Sequence, residues 1–238
     1  MSNPKIRLVT GSSSGFGRAI TRAAIEAGDT VIAVARRTAA LDDLVAAHPD
    51  QVEALALDVT DTERIETAVA DIVSRYGRID VLVDSAGRTQ VGAVEETTDR
   101  ELRDLFDLHF FGPAALTRAV LPQMRAQRSG AIVTMSSVGG QLPFAGFSDY
   151  SATKFALEGF AEALAEEVAP FGIDVLVVEP PGDPAKAAAA IRAALEAERT
   201  PLRLPLGADS VDAVLAHNDS VRAEVVEWEK VGRATAFE

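Results

Sequence analysis

Cysteine is absent from the 238 residues, which excludes disulfides and thiolate metal sites. Histidine is nearly as scarce: His48, His109 and His217 lie far apart and fall into no short ligand spacing, so no metal is expected. Aromatic residues make up only 5% of the chain. Positive charge is the rarer sign, with 23 Lys+Arg against 36 Asp+Glu and a formal net charge of −13. So acidic a surface argues against general binding to nucleic acid or anionic membranes, while leaving room for a local basic site that takes a phosphorylated ligand. No apolar run approaches a membrane span, and the opening MSNPKIRLVTG has no apolar signal core ahead of its first strand pattern. A cytoplasmic location is the expectation.

What is present is 47% hydrophobic and 25% charged, enough for one large buried core. Apolar runs of strand length occur at IRLVT, TVIAVA, VEALALDV, IDVLVDSAG, GAIVTMSS and IDVLVVEP, with LRLPLG (Leu202–Gly207) as a candidate seventh. Helical patterns fill the gaps at Gly17–Ala27, Ala39–Ala47, Thr62–Tyr76, Arg100–Arg128, Tyr150–Phe171, Pro184–Glu198 and Asp209–Val231. Alternation of this kind predicts an α/β fold, a parallel sheet with helices on both faces. No linker, internal repeat or low-complexity tract interrupts it, so residues 1–238 read as a single domain.

Three motifs carry chemistry. TGSSSGFG directly follows the first strand and opens a helix. Glycines there let the backbone approach a pyrophosphate, and the helix N-terminus offers free N–H groups. The candidate cradle is Gly11, Ser13, Ser14, Gly15, Phe16 and Gly17, spaced G-x3-G-x-G instead of the commoner G-x-G-x-x-G. At the end of the second strand, where an acid would hydrogen-bond the ribose of NAD, the chain has Ala35 and then Arg36 and Arg37. Guanidinium groups suit a 2′-phosphate, so NADP(H) is favoured over NAD(H). The third motif is SSVGGQLPFAGFSDYSATK. Tyr150 and Lys154 share one helix face, where an ammonium would favour the phenolate and lower the tyrosine pKa, and Ser137 could hydrogen-bond a substrate oxygen.

TGSSSGFG, LDVTD, DSAG, GAIVTMSSVGG and YSATKFALEGF, in this order, resemble the landmarks of the classical short-chain dehydrogenase/reductase family over about residues 5–180. The run from Ser136 to Phe160 is similar to members of the hydroxysteroid and retinol type. The resemblance implies a single Rossmann-type, doubly wound domain with a seven-stranded sheet. It makes Tyr150 the general acid or base, gives Lys154 the nicotinamide ribose, and gives Ser137 the carbonyl oxygen. It places Asp58 and Val59 at the adenine, Ala86 and Gly87 at the ribose, and Pro180 at the end of the sixth strand beside the cofactor. A homodimer or homotetramer is implied through the long helices. The substrate expected is a small or medium apolar ketone, aldehyde or secondary alcohol. A non-catalytic NADP(H)-binding regulatory module, and an isomerase or epimerase on the same fold, are the other readings.

The chain departs from the family in three places. The usual Asn-Asn-Ala-Gly is Asp84-Ser85-Ala86-Gly87, whose small polar side chains are expected still to hydrogen-bond neighbouring strands. The asparagine that often completes a tetrad is His109. Neutral imidazole can donate and accept, so His109 is either a substitute in the proton relay or a buried histidine satisfied by backbone. After Pro180 the family continues to a threonine and a mobile substrate lid, but here no threonine occurs before Thr200. Asp183 reads as the N-cap and Pro184 as the first residue of the next helix. The chain therefore reads as joined across a lid segment at about residues 180–182. A natural shortening, an engineered deletion or a mobile stretch left out of the numbering would each produce the join, and the last is preferred.

Overall fold

The computed structural model describes residues 4–180 and 182–235. Seven strands, β1 (Ile6–Val9), β2 (Thr30–Ala35), β3 (Val52–Ala56), β4 (Val81–Asp84), β5 (Gly130–Met135), β6 (Ile173–Glu179) and β7 (Arg203–Pro205), form one sheet in the order β3-β2-β1-β4-β5-β6-β7. Every pairing is parallel. The order reverses between β1 and β4, and in such sheets the crevice beyond the strands' carboxyl ends is where ligands bind.

Period-2 alternation splits each central strand between two apolar layers. Ile32, Leu82, Ile132 and Val177 join one layer with α3 (Thr62–Tyr76), α5 (Gly112–Gln127) and α6 (Ser148–Val168). Val31, Val83, Val133 and Val178 join the other with α1 (Gly15–Glu26), α2 (Asp42–Ala47) and α7 (Pro184–Glu196). The alanines of α7 serve this packing: Ala187, Ala188 and Ala194 are buried beside Ile191, and α7 lies against α1. Asp183 caps α7, its carboxylate accepting from the Ala185 N–H at 2.8 Å, with Pro184 at N1 as the sequence predicts. Pro181, inside the predicted join, lies outside the described residues.

The helix predicted over Arg100–Arg128 is two helices, α4 (Asp99–Phe106) and α5, joined by a π-helical turn at Asp107–Phe111. Pro113 has no N–H to give the His109 carbonyl, so the regular i to i−4 ladder cannot pass this point and the turn widens. The apolar pattern of the sequence runs through Pro113 unbroken, so it gives no sign of the break. Beyond β7, α8 (Ala208–Glu227) and α9 (Glu229–Arg233) leave Val225, Trp228 and Val231 exposed.

One expectation fails inside the sheet. Asp84, registered with Thr134 on β5, is 4% exposed and neither carboxyl oxygen finds a hydrogen-bond partner. Alternation turns it to the largely apolar α3–α5–α6 layer, where no side chain offers it a hydrogen bond. The tie between β1 and β4 comes instead from Thr10, whose hydroxyl accepts from the Ser85 and Ala86 N–H groups at 2.9 and 3.0 Å. Burial without a partner pushes the Asp84 pKa well above the carboxylate range. A raised folded-state pKa leaves stability intact below the unfolded value and erodes it as pH rises above that value. Asp84→Asn should therefore stabilise the chain by about 1–3 kcal/mol near neutral pH and by close to nothing near pH 4, as read from urea midpoints at the two pH values.

Candidate active site

The β1–α1 loop presses against the loop after β4. Gly11 has φ +69°, and a Cβ there would stand 2.9 Å from the Ser85 carbonyl oxygen. A Cβ on Gly17 would overlap the Gly11 carbonyl. Ser14, the extended N-cap of α1, makes no side-chain capping bond, so the first N–H groups of the helix stay available to an external acceptor. In front of them lies a cavity of about 730 Å³, lined by Gly11, Ser13–Gly17, Arg36, Asp58, Val59 and Ser85–Arg88. Arg37 is not among its lining residues. The Asp58 carboxylate is turned inward on its own loop, accepting from the Thr60 N–H and hydroxyl at 3.0 and 2.9 Å.

A second cavity of about 440 Å³ is lined by Ser137, Tyr150, Lys154, His109 and Pro180 together with Phe144 and Phe147. Phe16 and Ser85–Arg88 line both cavities, which makes them one continuous cleft. The predicted site residues thus converge along it, Arg37 excepted. Ser137 lies two residues past the end of β5, and its Oγ accepts from the Gly139 N–H at 3.1 Å. Lys154 Nζ lies 5.7 Å from the Tyr150 ring centre and donates to the Met135 carbonyl at 2.9 Å. Burial lowers the Lys154 pKa to about 8, with the Glu158 carboxylate acting the other way.

The expectation that Lys154 lowers the Tyr150 pKa is not met: burial raises it, with the Ser137 hydroxyl as the opposing influence. The desolvation of a half-enclosed phenol outweighs a cation whose own bond goes to a carbonyl. His109 has both nitrogens engaged. Nε2 accepts from the Arg88 N–H at 3.2 Å, so the proton sits on Nδ1, which donates to Thr153 Oγ1 at 2.9 Å. Thr153 passes the chain on to the Tyr150 carbonyl at 2.7 Å. Burial, then the charges of Lys154 and Arg88, hold the imidazole pKa down to about 3, so the ring is neutral at any ordinary pH.

Behind Lys154 is a polar cluster that sequence reading missed. Ser136 donates to Glu158 Oε1 at 2.6 Å, Arg203 Nε lies 3.4 Å from Glu158 Oε2, and Gln141 donates to Glu179. A signal existed, since Tyr150, Lys154 and Glu158 repeat every fourth residue, but Glu179 and Arg203 join only through the sheet.

Residues 5–195 match the short chain dehydrogenase family. The chain belongs to that family. It is 41% identical over 179 residues to the oxidoreductase BOA17 of Botryotinia fuckeliana, covering 75% of this chain and 65% of that one. It is also 41% identical over 179 residues to a 3-ketodihydrosphingosine reductase of Bacteroides thetaiotaomicron, covering 74% and 63%. The chain thus spans a little under two thirds of the length of these relatives. Among solved structures, a short-chain dehydrogenase from Streptomyces avermitilis superposes with TM-score 0.96 at 61% identity, covering 99% of this chain and 100% of that one. A metagenomic short-chain oxidoreductase in complex with NADP superposes with TM-score 0.80 at 28% identity, covering 85% and 96%. The family is one of oxidoreductases that bind a nicotinamide cofactor, and among the described residues no helix is long and apolar enough to cross a membrane.

Gly17→Ala should lower the stability of the ligand-free chain by about 1–3 kcal/mol, because the added methyl must displace the Gly11 backbone. A thermal melt reads the loss directly.

Proposed function

We propose that the chain is an NADP(H)-dependent oxidoreductase that interconverts an apolar carbonyl compound and its alcohol, with Tyr150 as general acid or base. The observation that carries this reading is the convergence of Ser137, Tyr150 and Lys154 on the second cavity where it opens into the first. The cradle fits a dinucleotide: its N–H groups are uncapped, and Gly11 and Gly17 occupy places where a Cβ would block the backbone approach. Gly11 and Ser13–Gly17 would hold the pyrophosphate, Asp58 and Val59 the adenine, Ala86 and Gly87 the ribose, and Arg36 the 2′-phosphate. Arg37 stays outside this set. When bound, the nicotinamide supplies or accepts the hydride.

The chain's own residues handle the proton. Ser137 Oγ hydrogen-bonds the substrate oxygen, and the Tyr150 hydroxyl gives that oxygen its proton in reduction. A raised phenol pKa keeps the proton on Tyr150 until the oxygen becomes basic, and the Lys154 ammonium then stabilises the phenolate. Lys154 would also hold the nicotinamide ribose, and Pro180 lines the same cavity. His109, with both nitrogens held, orients Thr153 and the first turn of α6 and does not carry the proton itself. Phe144 and Phe147 present an apolar wall to substrate. The join read at about residues 180–182 is where a substrate lid, absent from this sequence, would close this wall. Exposed Phe111 and Phe155, 49% and 44% accessible, support a homo-oligomer through the helices that carry them. A cytoplasmic location agrees with the acidic, cysteine-free composition.

Tyr150→Phe should lower carbonyl reduction roughly a hundred- to ten-thousand-fold while NADPH binding, followed by fluorescence, is retained. Wild-type NADPH binding without any turnover across apolar ketones and aldehydes would favour the regulatory-module reading. Arg36→Ala should weaken NADPH by about tenfold or more beyond its effect on NADH; equal weakening would remove Arg36 as the selector.

A further inference from the structure

Tyr150, Lys154, Glu158 and Glu162 follow one another at four-residue intervals on α6 and so form one ridge. The strand beside them grips two members of that ridge with consecutive residues. The Met135 carbonyl takes the Lys154 ammonium at 2.9 Å, and the Ser136 hydroxyl takes Glu158 Oε1 at 2.6 Å. Glu158 is 2% exposed. The backbone opposite is shaped around it: a Cβ on Gly140 would overlap Glu158 Oε1 and stand 2.6 Å from Ser136 Oγ.

We propose that Glu158 is a positioning residue for the reaction, the fixed counter-ion that keeps the buried Lys154 charged. This rests on the reading of Lys154 as the residue that holds the cofactor ribose and steadies the phenolate.

The charge balance of the cluster supports it. Arg203 is shared by Glu158, Glu162 and Glu179, so one guanidinium meets three carboxyl groups. Glu179, fully buried at the end of β6, is pushed up to about 7 by burial and by the charge of Glu158. It therefore takes up a proton as pH falls through neutrality. Burial raises the Glu158 pKa as well, but there the Ser136 hydroxyl, the Arg203 guanidinium and the Lys154 ammonium all favour the charged form. Other groups facing Lys154 offer no negative charge: Tyr150 on its own helix is neutral, His109 on the π-helical turn is neutral, and β5 presents the Met135 carbonyl. Glu158 acts through space, its close partners being Ser136 and Arg203.

The test is a lysine side-chain NMR titration of the ligand-free protein, which is tractable because the chain has four lysines, Lys5, Lys154, Lys186 and Lys230. Lys154→Met identifies the signal by its loss. In the wild type the Lys154 midpoint should lie near 8, where burial holds it. In Glu158→Gln, which keeps a hydrogen-bond acceptor for Ser136, the midpoint should fall by about one pH unit. In Glu158→Asp, which keeps the charge, it should move by only about a few tenths of a unit. The alkaline limb of the turnover–pH profile should move with the midpoint in each variant. If Glu158→Gln does not fold, Ser136→Ala should give a smaller fall in the same direction. An unmoved midpoint in the folded Gln or Ala variant, or an Asp variant that falls as far as Gln, overturns the proposal. Full turnover in Tyr150→Phe overturns the enzymatic reading instead, and leaves the titration comparison standing.

Discussion

The site depends on two backbone loops meeting without side chains between them. Thr10 ties the end of β1 to Ser85 and Ala86 after β4, and Gly11 approaches the same backbone closely enough that a methyl would not fit beside Ser85. This contact sits where the strand order reverses, and its Ser85 and Ala86 line both cavities at once. A side chain at Gly11 or Gly17 would wedge the loops apart, and the α1 end of the cleft would lose its register with the Tyr150 end. Sheet topology sets where the crevice opens, and the glycines set how deep it is.

The other half of the cleft is organised by the last residues of β5. A strand sends alternate side chains to opposite faces, and here the chain leaves the sheet just as that alternation ends. Met135 contributes its carbonyl to Lys154, Ser136 its hydroxyl to Glu158, and Ser137 its hydroxyl to the open cavity. The first two of these consecutive residues therefore locate two side chains of α6 relative to the sheet. A shift of α6 by one turn would break all of these contacts together, which makes the geometry all-or-none.

Much of this was legible from sequence because it is local. Strand cores and the α1, α3 and α7 helices follow from apolar period and caps, and the first strand's glycine-rich exit falls where TGSSSGFG predicts. The four-residue spacing already put Tyr150 and Lys154 on one face. What stayed hidden depends on contacts across the sheet. Nothing near Asp84 in the chain says that its carboxyl meets an apolar layer, and nothing near Tyr150 says that burial outweighs the neighbouring ammonium. The π-helical turn was obscured because apolar residues continue evenly through Pro113. Arg36 and Arg37 are equivalent as letters, and only the folded chain separates the one that lines the cavity from the one that does not.

The buried acids show how the same fold holds charge with and without compensation. Asp84 and Glu179 both end parallel strands, and each has an oxygen without a hydrogen-bond partner. Asp84 has no cation near it, so the only way to lower its cost is to stay protonated, and its neutral form adds nothing that asparagine would not supply better. Glu179 differs, because Gln141 donates to it and Arg203 lies 3.9 Å away. Its midpoint of about 7 is set against the charge of Glu158, so the two carboxyl groups divide the available cations unequally. An apolar pair would pack there at lower cost in desolvation. Ionic groups retained beside the buried Lys154 on α6 are therefore better explained by what they do to that lysine than by what they add to stability.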